Sequence, residues 1–249
     1  MNGQRLRRLG RRLGAWLVAA AVVAAAAGIV FVGTPFQGFA DSVDAVESDP
    51  GVTVTQRGDT YVLEPASVKS ATGIVFYPGA RVHPDAYLAT LAPLAREANV
   101  TVVVPKMPLN LAVFGQGTAS RYVTDSDVDT WYVGGHSLGG AMACRYAHAN
   151  PDTVEGLVLF GSYCDRDISG TDLAVLSVTG SADTVLNRDR YEEGLGYLPA
   201  DATVREFPIN HTQFGSYSGQ PGDSPSAVSY DAAHEQLADV TLAWLRGQQ

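Results

Sequence analysis

The sequence predicts an α/β fold, in which a mostly parallel sheet carries helices on both faces. Continuous apolar runs, typical of strands buried on both sides, alternate along the chain with segments of helical spacing. One such run ends in a glycine-rich turn at residues 134–140, and an alanine-rich helical pattern follows it directly. Strands that alternate with helices usually pair in parallel. Functional side chains of such sheets gather beyond the carboxyl ends of the strands, where we expect the site.

Residues 1–34 are predicted to form a basic N-terminus followed by a transmembrane anchor. Arg5–Arg12 is a basic cluster, and Ala15–Val32 supplies 18 residues without charge, close to the length that spans a bilayer. Basic residues before the span place the following domain outside the cytoplasm, at the cell membrane. The alternative is a cleaved signal peptide and a secreted protein, because Ala24–Ala27 offers cleavage sites.

Residues 35–51 are interpreted as a linker and residues 52–249 as the single α/β domain. The stretch from Asp41 is acidic and ends in Pro50-Gly51. Strands are expected over 52–56, 60–64, 73–77, 100–104, 154–160, 173–179 and 203–209, and a further strand runs from Trp131 into the glycine-rich turn. Helices are expected over 85–99, near 118–123, from the glycine-rich turn to 150, and over 187–194 and 230–246.

Charge excludes nucleic acid as a partner. The first 34 residues hold five basic and no acidic residues, so the rest of the chain carries all 26 acidic residues against 12 basic ones. An acidic surface repels phosphate backbones. It would also suit a medium of high salt, which we keep as a hypothesis. The two cysteines, Cys144 and Cys164, are too few for a metal site. They could form a disulfide outside the cytoplasm, although two free, semi-buried thiols are slightly favoured.

The pattern Gly135-x-Ser137-x-Gly139 predicts a tight strand-to-helix turn that exposes a nucleophilic serine. Only glycine tolerates the close backbone approach two residues on either side of that serine. The turn also aims the free N–H groups of the new helix at the space above Ser137. The alternative is an ordinary turn of small residues, which the preceding strand and the following helix argue against.

A base and an acid are expected at the ends of two later strands. His211 follows the last strand, and Asp183 follows the strand before it. A serine hydroxyl attacks only when a base takes its proton, which imidazole does near neutral pH, and a carboxylate orients the ring. Asp165 and Asp167 are alternative acids, and Asp183 could be a turn residue instead. The remaining histidines fit the position less well: His83, His136, His148 and His234.

Two backbone N–H groups are needed to hold the oxyanion that forms on the substrate. One is expected from Leu138, the residue after the nucleophile. The other is expected from Ala80, in the loop after the strand at 73–77, with Gly79 and Arg81 as alternatives. The alternative interpretation of Pro78-Gly79 is a simple turn.

Taken together, the chain resembles the α/β-hydrolase superfamily from residue 73 to residue 245. Four segments are similar to a bacterial and archaeal branch of small dienelactone-hydrolase-like proteins, many of which carry an N-terminal membrane anchor: 75–80, 106–112, 135–140 and 210–215. The resemblance implies a triad of Ser137, Asp183 and His211. Dienelactone hydrolases proper use a cysteine nucleophile, so the serine here points towards ester hydrolysis.

These features predict a serine hydrolase, a carboxylesterase that acts on small or medium acyl esters through an acyl-enzyme. Residues 161–172 are too few for a large lid, which favours an open site with little or no cap. Four side chains are candidate pocket walls, with core packing as the alternative: Met107, Phe114, Tyr163 and Phe214. The competing functions are a non-catalytic binding protein at the cell surface and an acyltransferase, thioesterase or lipase. No metal and no organic cofactor is expected.

Overall fold

The computed structural model describes residues 3–124 and 128–248. It divides the chain into two units, and the boundary between them along the sequence falls between Pro35 and Phe36. The first unit is a helix, α1, Gly3–Gly33. The helix predicted for this segment is therefore present. By length and hydropathy, however, no helix in the described part of the chain qualifies as a membrane span, so the transmembrane part of the prediction is not supported.

The second unit is built on an eight-stranded sheet in its described residues, and the predicted mostly parallel arrangement is confirmed. The strands are β1 Val52–Arg57, β2 Thr60–Pro65, β3 Thr72–Tyr77, β4 Val100–Val104, β5 Thr130–His136, β6 Gly156–Phe160, β7 Ala174–Gly180 and β8 Thr203–Phe207. Their order across the sheet is β1-β2-β4-β3-β5-β6-β7-β8. Strands β3 to β8 run parallel, whereas β2 is antiparallel to both of its neighbours.

Helices cover both faces of this sheet: α2 Ala40–Glu47, α3 Leu88–Ala98, α4 Leu138–Ala149, α5 Arg188–Leu195 and α6 Tyr230–Arg246. Successive residues of β3 point to opposite faces, so its side chains contribute alternately to two hydrophobic cores. Ile74 and Phe76 join the core that includes α3 and α6, and Val75 and Tyr77 join the core that includes α4. The six parallel strands thus end at one edge, between two packed layers of helices.

The segment interpreted as a linker contains helix α2. Val43 and Val46 lie three residues apart and form an apolar helix face, and Val46 is buried in the core beside α3. The carboxylate of Asp49 binds Arg96 of α3 at 2.9 Å, which fixes the far end of the segment. The compact unit accordingly begins at Phe36, earlier than the residue 52 that the composition suggested.

The two cysteines form a disulfide, so the slight preference for free thiols was wrong. The Cα atoms of Cys144 and Cys164 lie 5.4 Å apart, within the range that a disulfide spans. Cys144 belongs to α4 and Cys164 to the loop after β6, two segments that the parallel pairing of β5 and β6 brings together. A distance of this kind depends on tertiary packing, and the spacing of 20 residues did not determine it.

Of the predicted helices, one begins with a tighter 3₁₀ turn and another is a 3₁₀ helix over its whole length. The helix expected from residue 85 consists of a 3₁₀ turn, Pro84–Tyr87, followed by α3. The helix expected near 118–123 is a 3₁₀ helix over Gln116–Arg121. The segment before it is irregular and has left-handed backbone angles at Leu109 and Asn110. This segment follows β4 and therefore lies at the carboxyl edge of the sheet.

Candidate active site

Ser137 occupies a strained turn between β5 and α4. Its backbone angles are φ 54° and ψ −125°, a conformation that costs a non-glycine residue free energy and is found at functional sites. A Cβ atom on Gly139 would lie 2.0 Å from the carbonyl oxygen of Tyr77, and one on Gly135 would lie 2.6 Å from the backbone of Gly139. Both glycines are therefore required for the sharp turn that the pattern predicts, and Ser137 stays half-buried at the strand end.

Asp183 and His211 form a buried pair at the ends of β7 and β8. The Nδ1 atom of His211 lies 2.7 Å from Oδ2 of Asp183, and both side chains are almost completely buried. The other oxygen of Asp183 accepts hydrogen bonds from the N–H groups of Val185 and Leu186, each at 2.9 Å. The carboxylate is thus held by its own loop while it binds the imidazole, as an orienting acid requires.

A second carboxylate, that of Asp223, holds the backbone of the histidine loop. Its two oxygens accept hydrogen bonds from the N–H groups of His211 at 3.1 Å and Thr212 at 2.9 Å. These N–H groups begin a short 3₁₀ helix, His211–Phe214, and would otherwise have no acceptor within the helix. The side chain of Asn210 and that of Gln213 close the same turn as a capping box. Asp223 had no signal in the sequence, because nothing in the spacing links it to residue 211.

The other nitrogen of His211, Nε2, is buried and has no hydrogen-bond partner among the described residues. The ring of His211 lies 4.4 Å from the ring of His136, the residue immediately before Ser137. The structure therefore brings the imidazole next to the strained turn, but it contains no hydrogen bond from the Ser137 hydroxyl to Nε2. Hydrogen bonds between a nucleophile and its base commonly tighten only in the substrate complex.

Among the three residues considered for the second oxyanion donor, only Ala80 keeps an N–H that is not already used within the described residues. Gly79 donates its N–H to the hydroxyl of Tyr87 at 2.8 Å. Arg81 donates its N–H to the carbonyl of Asn110 at 2.7 Å. The first donor, Leu138, is the first residue of α4, where backbone N–H groups have no acceptor in the helix. This geometry is compatible with the predicted pair, Leu138 and Ala80.

Tyr87 connects this loop to the turn that carries Ser137. Its hydroxyl oxygen accepts the N–H of Gly79 at 2.8 Å and also forms a hydrogen bond with Nδ1 of His136, 2.9 Å away. Complete burial lowers the pKa of His136 well below its usual value, and the neighbouring His211 lowers it further. Burial therefore favours the neutral form of the His136 imidazole. Tyr87 was interpreted from the sequence only as a residue of a helical pattern, which gave no sign of this bridging role.

A cavity of about 230 Å³ opens beside Ser137. It is lined by Ser137, Leu138, Ala141, Gly161, Ser162, Tyr163, Val185, Leu186 and Asn187. Tyr163 is the candidate wall residue that the structure places there. The loop after β7 supplies three walls that the sequence analysis did not name. A larger cavity, of about 450 Å³, lies over β1, β2 and β4 and includes none of the candidate catalytic residues.

The other three candidate wall residues lie elsewhere. Met107 is buried in the core that includes α4. Phe214 is fully buried and stacks on His136 with ring centroids 5.4 Å apart, so it supports the site from behind. Phe114 is 60% exposed on the surface. An apolar residue near a motif can serve the core, the cavity or the surface, and the sequence alone did not separate these roles.

The alternative acids are engaged away from His211. Asp165 binds the guanidinium of Arg145 through both oxygens, with the shortest contact at 2.6 Å. Asp167 accepts hydrogen bonds from the backbone and hydroxyl of Ser169. Neither carboxylate contacts an imidazole nitrogen of the site. Within the described residues, no group of three or more potential metal ligands occurs.

Comparison with known proteins places these residues in a family. A model of the alpha/beta hydrolase family matches residues 73–235, a span that includes Ser137, Asp183 and His211. The chain is also similar in fold to a solved structure described as a membrane phospholipase A, a novel bacterial virulence factor, with a TM-score of 0.60. That similarity covers 97% of this chain and 98% of the other at 14% sequence identity, and it concerns the fold alone. No curated protein matches the chain in sequence.

Proposed function

The chain belongs to the alpha/beta hydrolase family, and we propose that it is a serine hydrolase, a carboxylesterase that cleaves small or medium acyl esters. The observation that carries this proposal is the buried hydrogen bond of 2.7 Å between His211 and Asp183, next to the strained turn at Ser137. Burying an imidazole and a carboxylate costs free energy unless they pair, and strain at a serine adds nothing to stability. Catalysis accounts for all three features.

In the first half of the proposed reaction, the hydroxyl oxygen of Ser137 attacks the carbonyl carbon of the ester. Nε2 of His211 takes the proton from that hydroxyl, and Asp183 stabilises the imidazolium through Nδ1–H. The N–H groups of Leu138 and Ala80 hold the negative oxygen of the tetrahedral intermediate. When the intermediate collapses, Nε2–H returns its proton to the leaving alcohol, and the acyl group stays on Ser137.

In the second half, water takes the place of the alcohol. Nε2 of His211 removes a proton from a water molecule, whose oxygen attacks the carbonyl carbon of the acyl-enzyme. The same backbone N–H groups hold the second tetrahedral intermediate. Its collapse breaks the bond to the oxygen of Ser137, which regains a proton from His211, and the carboxylic acid leaves. The residues present supply each of these steps.

The size of the cavity supports the proposed substrate class. Its volume of about 230 Å³ lies below the range of roughly 300–1,000 Å³ typical of drug-sized ligands. Leu138, Ala141, Val185 and Leu186 give it apolar walls, which suit a short hydrocarbon chain. Small and medium acyl groups are therefore the expected substrates. Within the family, we assign the chain to the dienelactone-hydrolase-like branch, with serine as the nucleophile.

The disulfide supports a proposal about location. Disulfides persist in oxidising compartments and are rare in the cytoplasm. The bond between Cys144 and Cys164 connects α4 to the loop that supplies Tyr163 to the cavity. We propose that the hydrolase domain works outside the cytoplasm, where this wall of the cavity is held by a covalent bond.

Labelling with a fluorophosphonate probe tests the proposed function. We expect a covalent adduct on Ser137, identified by peptide mass spectrometry, and hydrolysis of p-nitrophenyl esters that is fastest for short and medium chains. Ser137→Ala should lose the adduct and nearly all turnover, by roughly 10³-fold or more, while its unfolding midpoint stays near that of the wild type.

Ser162→Ala is the control for which serine is labelled, because Ser162 also lines the cavity and, among the described residues, its hydroxyl bonds only to the backbone carbonyl of Ser137, at 2.7 Å. This variant should keep the adduct on Ser137. Wild-type protein that is folded but forms no adduct and hydrolyses no ester would refute the proposal in favour of a binding function. An adduct combined with transfer of the acyl group to an added alcohol, in preference to water, would reassign the reaction as acyl transfer.

A further inference from the structure

Exposed apolar side chains are concentrated at one place on the unit that begins at Phe36. Leu109, Val113 and Phe114 are 60%, 40% and 60% exposed and belong to one six-residue stretch, which we call the apolar rim, residues 109–114. The other large apolar side chains exposed on the described part of this unit occur singly: Val68, Leu195 and Val204. Single exposed apolar residues need no explanation, whereas a cluster marks an interaction site.

The rim also lies in a segment without charge. From Met107 to Ser120 the chain has 14 consecutive residues that carry no charged side chain, although the whole protein has a net charge of −9. Moving a charged side chain into an apolar phase is costly, and moving this segment would incur no such cost. The segment therefore differs from the rest of this acidic chain in lacking charge, the property that matters most for contact with hydrocarbon.

Hydrogen bonds and one buried side chain hold the backbone of this uncharged segment in place, which keeps the rim side chains at the surface. The hydroxyl of Tyr77 accepts the N–H of Ala119 and donates to the carbonyl of Gln116, both at 2.7 Å. Ala112 is fully buried and anchors the middle of the rim. Leu109 has a φ of 53°, a left-handed conformation that is unfavourable for leucine, and its exposed side chain gains little burial in return. The fold holds this leucine outward at a cost to stability.

The apolar rim is connected to the candidate oxyanion loop. It follows β4, at the same edge of the sheet as the turn of Ser137. The carbonyl of Asn110, within the rim, accepts the N–H of Arg81 at 2.7 Å, and Arg81 directly follows Ala80. A single hydrogen bond thus connects the apolar rim to the loop that would hold the substrate carbonyl, so a surface that contacts the rim lies close to that loop.

We propose that the apolar rim contacts a lipid surface and that the ester substrate reaches Ser137 from that surface. The substrate part of this inference rests on the proposed ester hydrolase, whereas the contact with lipid does not. A second copy of the chain fits less well, because a stable protein interface uses roughly 20–30 residues and about 800 Å² on each partner. Three uncharged side chains are too few for that, but they can insert among acyl chains.

A fluorescent probe on the rim tests the contact in the full chain. Both native cysteines are buried in the disulfide, so a cysteine introduced by Phe114→Cys can be labelled selectively with a nitrobenzoxadiazole dye. On addition of phosphatidylcholine vesicles, we expect the emission to shift to the blue and to rise about two-fold or more as water leaves the dye. Val68→Cys is the matched control, since Val68 is 49% exposed and precedes β3 at the opposite edge of the sheet.

The outcomes of this experiment are distinct. A response at position 114 without one at position 68 supports the proposal. Equal responses at both positions would mean that the whole surface approaches the lipid, and no response at either would mean no contact, so each overturns it. A response at position 114 that grows with protein concentration in the absence of vesicles would assign the rim to a second copy, and this also overturns the proposal.

Leu109→Asn tests the substrate part. Asparagine tolerates the left-handed conformation better than leucine does, so the unfolding midpoint should stay the same or rise. The rate on a medium-chain ester embedded in phosphatidylcholine vesicles should fall about tenfold more than the rate on soluble p-nitrophenyl acetate. Val68→Asn should leave the ratio of the two rates unchanged, and an unchanged ratio in Leu109→Asn would overturn the lipid-borne substrate.

A wild-type enzyme without turnover on either ester would refute the proposed function instead. In that case the fluorescent probe at position 114 still decides whether the rim contacts lipid. The failure of one inference is therefore distinguishable from the failure of the other.

Discussion

The two halves of the candidate site are held in place by different physical means. The serine half is contiguous: Ser137 sits between glycines, and its turn is packed against the backbone of Tyr77 and Pro78. The other half is assembled from distant loops by hydrogen bonds. In it, the carboxylates of Asp183 and Asp223 each bind two backbone N–H groups, and Asp183 also binds His211.

This difference teaches how each half should respond to substitution. Packing against backbone atoms has no room to adjust, so a single added methyl group in the serine half forces the main chain to move. A hydrogen bond in a protein has a modest net worth, about 0.5–1.5 kcal/mol, or about 1.5–3 kcal/mol when one partner is charged. A single substitution in the serine half should therefore abolish activity and destabilise the fold. Single substitutions in the histidine half should each cause a partial loss.

Gly139→Ala should have the largest effect. The new Cβ atom would lie 2.0 Å from the carbonyl oxygen of Tyr77 and 2.4 Å from that of Pro78, which are backbone atoms at the start of the candidate oxyanion loop. We expect a loss of about 3 kcal/mol in the free energy of unfolding, from urea titration, and no labelling by the fluorophosphonate probe.

Gly117→Ala is the control for this substitution, because a Cβ atom at Gly117 would meet no atom within 4 Å. It should unfold at about the same urea concentration as the wild type and keep its activity. Wild-type stability and labelling in Gly139→Ala would show that the serine half is as adjustable as the other half, and the proposed contrast would be wrong.

Asp183→Asn should leave the fold nearly intact and remove most of the activity. The amide oxygen can still accept the N–H groups of Val185 and Leu186, so the loop is retained. The amide nitrogen would then face Nδ1 of His211 as a donor, which places the imidazole proton on Nε2 and prevents that atom from acting as a base. We expect turnover to fall by about 10⁴-fold with a small change in the unfolding midpoint.

Asp165→Asn is the matched control, since this carboxylate was an alternative acid and binds Arg145 instead. It should lose little activity. A large loss in Asp165→Asn together with a small one in Asp183→Asn would exchange the roles of the two carboxylates, which steady-state kinetics on p-nitrophenyl acetate can decide.

The parts of the molecule that could be predicted from sequence depend on local patterns. The elbow at Gly135–Gly139 is recognisable because the steric requirement falls within five consecutive residues. The strands were recognisable from runs of β-branched residues, and parallel pairing then brings strand ends to one edge. This reasoning was enough to name Asp183 and His211, and the structure places them 2.7 Å apart.

Features that depend on distances between segments could not be predicted in this way. The bridge from Tyr87 to His136 spans 49 residues, and nothing in a helical pattern singles out one tyrosine. The disulfide was left open for the same reason. Helix α2 was interpreted as a linker because its sequence is acidic. Its apolar pair, Val43 and Val46, packs against the core that includes α3, and that contact cannot be inferred from the local sequence.

The hydrogen bonds of Asp223 to the histidine loop also depend on the approach of distant segments. Of the three substitutions, Gly139→Ala, Asp183→Asn and Asp223→Asn, the last should have the smallest effect on activity. An amide can accept one of the two N–H groups of His211 and Thr212, but its nitrogen would face the other N–H as a second donor. Losing one charged hydrogen bond of this kind corresponds to about 1.5–3 kcal/mol. The histidine loop should shift, and kcat on p-nitrophenyl acetate should fall about tenfold while KM changes little.

Asp201→Asn changes the net charge equally at an exposed turn and should leave kcat unchanged. If Asp223 only stabilised the fold, Asp223→Asn would lower the unfolding midpoint, yet the protein that remained folded would label with the fluorophosphonate probe at the wild-type rate. A slower labelling rate per folded molecule would instead assign Asp223 to positioning the histidine. Because the loss is one hydrogen bond among several, it should be partial, which is the graded response that separates this half of the site from the serine turn.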